Sequence, residues 1–157
     1  MTAETVSATL SEHASKKLLA GYGIPFAREE NVSDATAAVA AASEIGFPVV
    51  LKLCGDAIAH KTERDLVRLG LGAAAAVAAA ANELLAKAVP EDGPVTLLVA
   101  EMVQAKRELI LGLVRDPQFG PCVLLGIGGI LAEIHSDVSF AMAPVSRAEA
   151  ARMIESL

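Results

Sequence analysis

Leu10, Ala14, Leu18 and Leu19 recur at helical spacing, and Thr9 with Glu12 forms a capping-box signal before them. Gly21 and Gly23 end this helix, and Ile24-Pro25 forces an extended exit into a short strand over 26–29. Ser33 or Asp34 caps a second helix with Ala35, Val39, Ala42 and Ile45 inward and Gly46 at its end. Past Pro48, the β-branched run Val49-Val50-Leu51-Lys52 predicts a buried strand. Positions 53–65 carry no apolar period and read as a loop, and 66–71 returns as a strand. Gly72 interrupts it, and 73–88 has the strongest helix propensity in the chain. The PEDGP turn at 90–94 follows. Strand patterns then come in succession at 95–103, 108–114, 122–125 and 138–143, with a turn at 116–120. Ser146 and Glu149 make a second capping box, opening a helix that runs to Leu157.

A helix, a βαβ-like unit, a further strand and helix, and then consecutive strands predict an α+β (α/β) fold with antiparallel sheet in the later half. No internal repeat or low-complexity linker divides the chain. The one shift in composition, at PEDGP, separates helix from strand.

Hydrophobic residues make up 54% of the chain and charged residues 20%, which places it among globular rather than disordered proteins. One Tyr, four Phe and no Trp require an aliphatic core, much of it alanine. The net charge of −6 speaks against a nucleic-acid partner, which needs a basic surface. Cys54 and Cys122 have no paired spacing with each other or with histidines, so neither a disulfide framework nor a zinc site is expected. The polar amino terminus lacks the apolar stretch of a secretory signal. The longest apolar run, 71–81, is far short of the roughly 20 residues that span a bilayer. These readings predict a cytoplasmic protein with no membrane partner.

Four places could carry chemistry. Lys52, at the end of its predicted strand, either meets a phosphate as a point charge or snorkels to solvent. His60-Lys61-Thr62 lies in the loop after it, where a neutral imidazole beside a cation could accept a phosphoryl group or simply face water. Gly126-Ile127-Gly128-Gly129 follows a strand and could cradle a phosphate or form a tight turn. Leu131 stands where a dinucleotide fingerprint needs its third glycine, and the chain has no P-loop. Glu101 and Glu108 flank the turn at Gln104-Ala105-Lys106, where they could serve a metal or a ribose hydroxyl, or be solvated. Asp116-Pro117 is a turn signal. Glu133 is a ligand or solvated, His13 belongs to a solvated helix face, and His135 stays open.

Taken together, SEHASKKLLAGYGIPFA, GFPVVLKL, IAHKTE, LVRLGL, VAEMV and RELILGLVRDPQFGP…GIGGILAE resemble the ATP-grasp domain of the ADP-forming acetyl-CoA (acyl-CoA) synthetases, relatives of succinyl-CoA synthetase. The resemblance runs from about Leu10 to the last helix. It implies an N-terminal helix over 1–24, a first ATP-grasp subdomain over 25–103, and an incomplete second subdomain over 104–157. Lys52 would contact the ATP phosphates, and Glu101 with the backbone of Met102 and Val103 would hold adenine. Glu108 would lie on the ribose-phosphate side, and Gly128-Gly129 would bring N–H groups near the phosphate. His60 would carry phosphate on a mobile loop. The implied reaction is acyl-CoA + ADP + phosphate ⇌ carboxylate + CoA + ATP, with ATP/ADP and Mg²⁺ bound and a CoA-binding domain or subunit as partner. In such a family the magnesium ligands lie beyond Leu157, so the chain is not expected to be active alone. Glu63-Arg64-Asp65-Leu66 also stands where a small or glycine-containing turn is expected, so Asp65 should stiffen the loop. The alternatives are a non-catalytic nucleotide-binding or regulatory module, as in a multidomain acyltransferase, and a remnant that serves protein contacts.

Overall fold

The computed structural model describes residues 10–58, 61–105, 107–128 and 138–157. It mixes helices with antiparallel sheets and divides into two units, Met1–Val103 and Gln104–Leu157. Among the described residues no helix is long and apolar enough to cross a membrane.

The first unit contains α1 (Glu12–Ala20), β1 (Glu29–Val32), α2 (Ala35–Ile45), β2 (Val49–Cys54), β3 (Val67–Leu71), α3 (Ala74–Ala86), a 3-10 turn (Pro90–Asp92) and β4 (Thr96–Glu101). Its sheet has the order β1-β4-β2-β3, and all its pairings are antiparallel. Antiparallel pairing is therefore not confined to the later half of the chain. The βαβ-like unit is present but split: β1 and β2 both oppose β4, so they run in the same direction with β4 between them. Strand β1 forms later than the predicted 26–29, because only from Glu29 does the ladder with β4 begin, and only Val32 reaches the core.

Alternation along β2 sends Val49, Leu51 and Leu53 to one face, where none is exposed. They pack with Leu97 and Val99 of β4, with Ala38, Ala41, Ala42 and Ile45 of α2, and with Val77, Ala81 and Leu84 of α3. Full burial of each such leucine contributes about 1.5–3 kcal/mol. Asp34 caps α2, its carboxylate accepting the Ala37 N–H at 2.9 Å, and Gly46 closes the helix at φ 96°. For α1 the cap is Ser11, whose hydroxyl accepts from Ala14, while Thr9 lies outside the described residues. The predicted apolar face of α1 is not buried: Leu10, Leu18 and Leu19 are all exposed, and the helix is held by charge instead.

The second unit is a meander, β5 (Leu109–Asp116), β6 (Gly120–Ile127) and β7 (Val138–Met142), followed by α4 (Arg147–Glu155). The turn between β5 and β6 forms because the Asp116 carboxylate accepts from the Gln118 and Phe119 N–H groups and Gly120 takes φ 77°. The Ser146–Glu149 capping box opens α4 as the sequence predicts. Register puts Leu109, Leu111 and Leu113 on one face with Val123, Leu125 and Ile127. Ile110, Val114, Cys122 and Leu124 share the other face with Phe140 and Met142.

Candidate functional site

Lys52 is the fourth of six residues in β2, not its last, because the strand runs on to Cys54. Alternation then decides its direction. Neighbours Leu51 and Leu53 enter the core, so Lys52 points to the opposite face of the sheet, paired across to Leu98 and Val67. Its ammonium donates to Glu12 Oε1 at 2.7 Å. Lys61 donates to the other oxygen of the same carboxylate at 2.8 Å, and Lys16 to Oε1 at 2.9 Å. Lys16 also donates to Glu29 at 2.6 Å, and His13 Nδ1 lies 3.2 Å from that residue. A cleft of about 430 Å³ opens here, lined by Glu12, Lys52, Lys61, Thr62, Val67 and Leu69, with Asp65 at its side.

Burial pushes the Glu12 carboxyl up, but hydrogen bonds from Lys52, Lys61 and Lys16 together hold it far below the usual carboxylate range. Burial works against the charge of Lys16, and the hydrogen bonds it donates to Glu29 and Glu12 overcome that and raise its pKa.

The segment 61–66 is anchored. Leu66 N–H donates to the Lys61 carbonyl at 2.8 Å and Asp65 N–H to the Thr62 carbonyl at 3.1 Å. Asp65 adopts φ 54°, the left-handed region that glycine favours and aspartate tolerates, so it does the conformational work of the expected glycine. Its carboxylate accepts from Arg68 and Lys87, first Lys87 and then Arg68 lowering its pKa. Arg64 grips Asp92 with its two terminal guanidinium nitrogens, at 2.6 and 2.9 Å, and the Val89 N–H adds a third bond to that carboxylate. Arg64, then the Val89 N–H, hold the Asp92 carboxyl down at about 2. His60 lies outside the described residues, so its predicted exposure and the mobility of its loop are not observed. Cys54, counted with the loop in the sequence, is a buried strand residue.

Glu101 ends β4 and takes Arg28 as its partner at 3.2 Å, an ion pair that lowers its pKa. Its N–H donates to the Arg28 carbonyl at 2.8 Å. Met102 and Val103 follow, Val103 being exposed. The Met102 sulfur lies over Gly70, 3.9 Å from where a Cβ would stand, and Gly70 itself takes φ 66° at an irregular step of β3. Glu108 belongs to the second unit, as does Gly128. The Gly128 N–H donates to the Glu108 carbonyl at 2.8 Å, so here it closes a ladder rather than facing an anion. A Cβ on Gly128 would stand 3.3 Å from both the Glu108 and Ile110 side chains, a tight approach at that crossing. Gly129, Glu133 and His135 lie outside the described residues.

Sequence reasoning missed Glu12 as a member of the site, having used it only as a helix cap. The sole local signal was Lys16 one turn later. Among the described residues no group of three His, Cys, Asp or Glu side chains gathers as a metal centre.

The sequence model of the ATP-grasp domain matches residues 2–157. The chain belongs to the ATP-grasp family. This ATP-grasp chain is 34% identical over 151 residues to the beta subunit of ADP-forming acetate–CoA ligase I of Pyrococcus furiosus, covering 94% of this chain and 65% of that protein. It is 36% identical to the ADP-forming 4-hydroxybutyrate–CoA ligase of Nitrosopumilus maritimus, covering 94% of this chain and 22% of that one. Among solved structures it is similar to the dinucleotide-forming acetyl-coenzyme A synthetase 1 of Ca. Korarchaeum cryptofilum. The complex with coenzyme A and Ca-AMPCP superposes with a TM-score of 0.85 at 38% identity over 93% of this chain and 65% of that one. The complex with coenzyme A and Mg-AMPPCP, whose phosphohistidine segment points towards the nucleotide binding site, gives 0.76 at 38% identity, over 93% and 62%. The ATP-grasp chain thus spans less than two thirds of each of these relatives.

Proposed function

We propose that this ATP-grasp chain is the nucleotide-binding part of an ADP-forming acyl-CoA ligase, acting in the interconversion acyl-CoA + ADP + phosphate ⇌ carboxylate + CoA + ATP. The observation that carries the reading is the convergence of Lys52 and Lys61 on one cleft beside Thr62, directly after His60 in sequence. Two ammonium groups supply point charges for phosphoryl oxygens, and a threonine hydroxyl supplies a further donor. The likeness to acetate– and hydroxybutyrate–CoA ligases supports the acid–thiol chemistry.

In this reading Lys52 and Lys61 bind and orient the phosphates of ATP or ADP, so that transfer proceeds from a held geometry. Adenine lies along the end of β4, where the backbone of Met102 and Val103 offers its polar groups and Glu101 its carboxylate. Glu108 serves the ribose-phosphate side, and Gly128-Gly129 let main chain approach the ligand, with the Gly128 N–H itself held by the Glu108 carbonyl. His60 takes the phosphoryl group onto a ring nitrogen, the neutral imidazole being available near its ordinary pKa of about 6.5. A solved relative carries a phosphohistidine segment and a magnesium-bound nucleotide analogue. Magnesium finds no gathered ligand set among the described residues, and the roles given to the lysines and backbone do not depend on it. The CoA-binding partner, the acyl-CoA and phosphate belong to the assembled enzyme, in a cytoplasmic setting. The domain limits proposed are an N-terminal segment over 1–24, which carries α1, and subdomains over 25–103 and 104–157.

The test is titration with ATP and ADP of wild type and Lys52→Ala. Loss of a charge-assisted contact should weaken binding by about 1.5–3 kcal/mol. In the assembled ligase, labelled ATP should leave acid-labile phosphate on His60, and His60→Ala should abolish turnover while keeping nucleotide affinity. Equal affinity of wild type and Lys52→Ala would remove Lys52 from the site.

A further inference from the structure

Helix α1 is attached in an unusual way. It buries none of its nine residues, and Leu10, Leu18 and Leu19 stay exposed along it. What ties it to the rest of the unit is polar: Glu12 pairs with Lys52 and Lys61, Lys16 pairs with Glu29 of β1, His13 hydrogen-bonds Glu29, and the Ser11 N–H donates to Asp56 at 2.9 Å. The central contact sets one carboxylate against three ammonium groups, with Lys52 and Lys16 on one oxygen and Lys61 on the other. A carboxylate does not need three cations for neutrality, whereas a phosphoryl group, with more charge and three acceptor oxygens, suits them. Within Lys16, Lys52, Lys61, Glu12 and Glu29 a net positive charge remains. Asp65, the other acid beside the cleft, is already engaged by Arg68 and Lys87.

Resting on the nucleotide reading above, we propose that Glu12 is an internal occupant of the phosphate site, which an incoming phosphoryl group displaces together with α1. Glu12 is then the residue that sets the affinity of the cleft for phosphate. Without ligand it keeps Lys52 and Lys61 together and suppresses their mutual repulsion. With ligand, the two lysines turn to the phosphate and the helix loses its main tether. Because α1 contributes no buried side chain, its release leaves the hydrophobic core intact. A ligand shifts such an equilibrium only by its differential affinity for the two states, and here the difference is the Lys52–Lys61 pair itself.

The experiment uses the 157-residue chain as wild type, Glu12→Gln and Lys52→Ala, titrated calorimetrically with ATP, pyrophosphate and adenosine. Amide hydrogen exchange of residues 12–20 is followed with and without ATP. Glu12→Gln should bind ATP and pyrophosphate tighter, on the order of tenfold, since a competing carboxylate is gone while adenosine affinity stays the same. Exchange in α1 should speed up when ATP is added to wild type, and should already be fast in Glu12→Gln. Unchanged or weaker phosphate binding by Glu12→Gln, or an α1 indifferent to ATP, overturns the proposal. If wild type still binds ATP through Lys52 in that case, the nucleotide reading survives alone. If neither wild type nor Glu12→Gln binds ATP or pyrophosphate, both fall.

Discussion

The two sheets of this chain treat the same kind of sequence in opposite ways. In the first unit, β2 sinks its leucines to zero exposure between α2, α3 and β4. In the second, β5 also carries three leucines, yet Leu109, Leu111 and Leu113 are 55%, 69% and 71% exposed. Composition cannot explain the difference; cover can. The first sheet carries two alanine-rich helices whose small side chains allow close approach. Among its described residues the second has one nine-residue helix, in which Met153 is the only buried side chain, for two apolar faces. Stability in the first unit is therefore a property of its packed core, while strand β5 gains little from its leucines as they stand.

The sharpest way to break this comparison is to remove equal bulk from each sheet. Leu53→Ala should leave a cavity in the first core and lower stability by about 2–5 kcal/mol in urea unfolding followed by circular dichroism. A comparable loss from an exposed β5 leucine would show that the contrast in burial does not govern energetics. Asp92→Asn probes the polar anchoring of the first unit. Its folded pKa, about 2, lies below the ordinary aspartate value of 3.8, so the contribution is full above pH ~4 and is lost as pH falls through ~2. Wild type should lose stability more steeply than Asp92→Asn between those limits, with equal slopes arguing against the Arg64 contact. In the second unit, Ser146→Ala removes the α4 cap and should lower the unfolding free energy by about 1 kcal/mol. Smallest of all, Leu111→Thr should change stability by less than about 0.5 kcal/mol. Light scattering should nonetheless show less self-association, because an exposed apolar edge strand is a pairing surface.

Legibility followed distance along the chain. The Asp34 and Ser146 caps, the Asp116 turn and the β2 run depend on residues within a few positions, and the hydrophobic pattern was enough to find them. So was Lys52, whose strand neighbours dictate its direction. What stayed hidden lies far apart in sequence: Glu12 meets Lys52 across 40 positions, and Arg64 meets Asp92 across 28. The exposure of α1 was not legible for a related reason. Helical spacing of Leu18 and Leu19 marks an apolar face, but whether anything covers it depends on the tertiary fold. The glycine expected in the loop was replaced by Asp65, whose left-handed backbone no spacing rule announces.

The insertion of β4 has a consequence for how the protein comes to be folded. The strand made last in the first unit is the one that must lie between β1 and β2, joined to both along their lengths. During synthesis, nothing can complete that sheet until Glu101 has emerged, and β1 must wait some 65 residues for its partner, as the Asn31–Thr96 contact illustrates. Only the β2–β3 ribbon and the helices can organise earlier. The β5–β6–β7 meander, by contrast, pairs each strand with its successor and needs no such delay. Long-range closure of this kind slows folding, so the rate-limiting event for the first unit should be the docking of β4 into its slot.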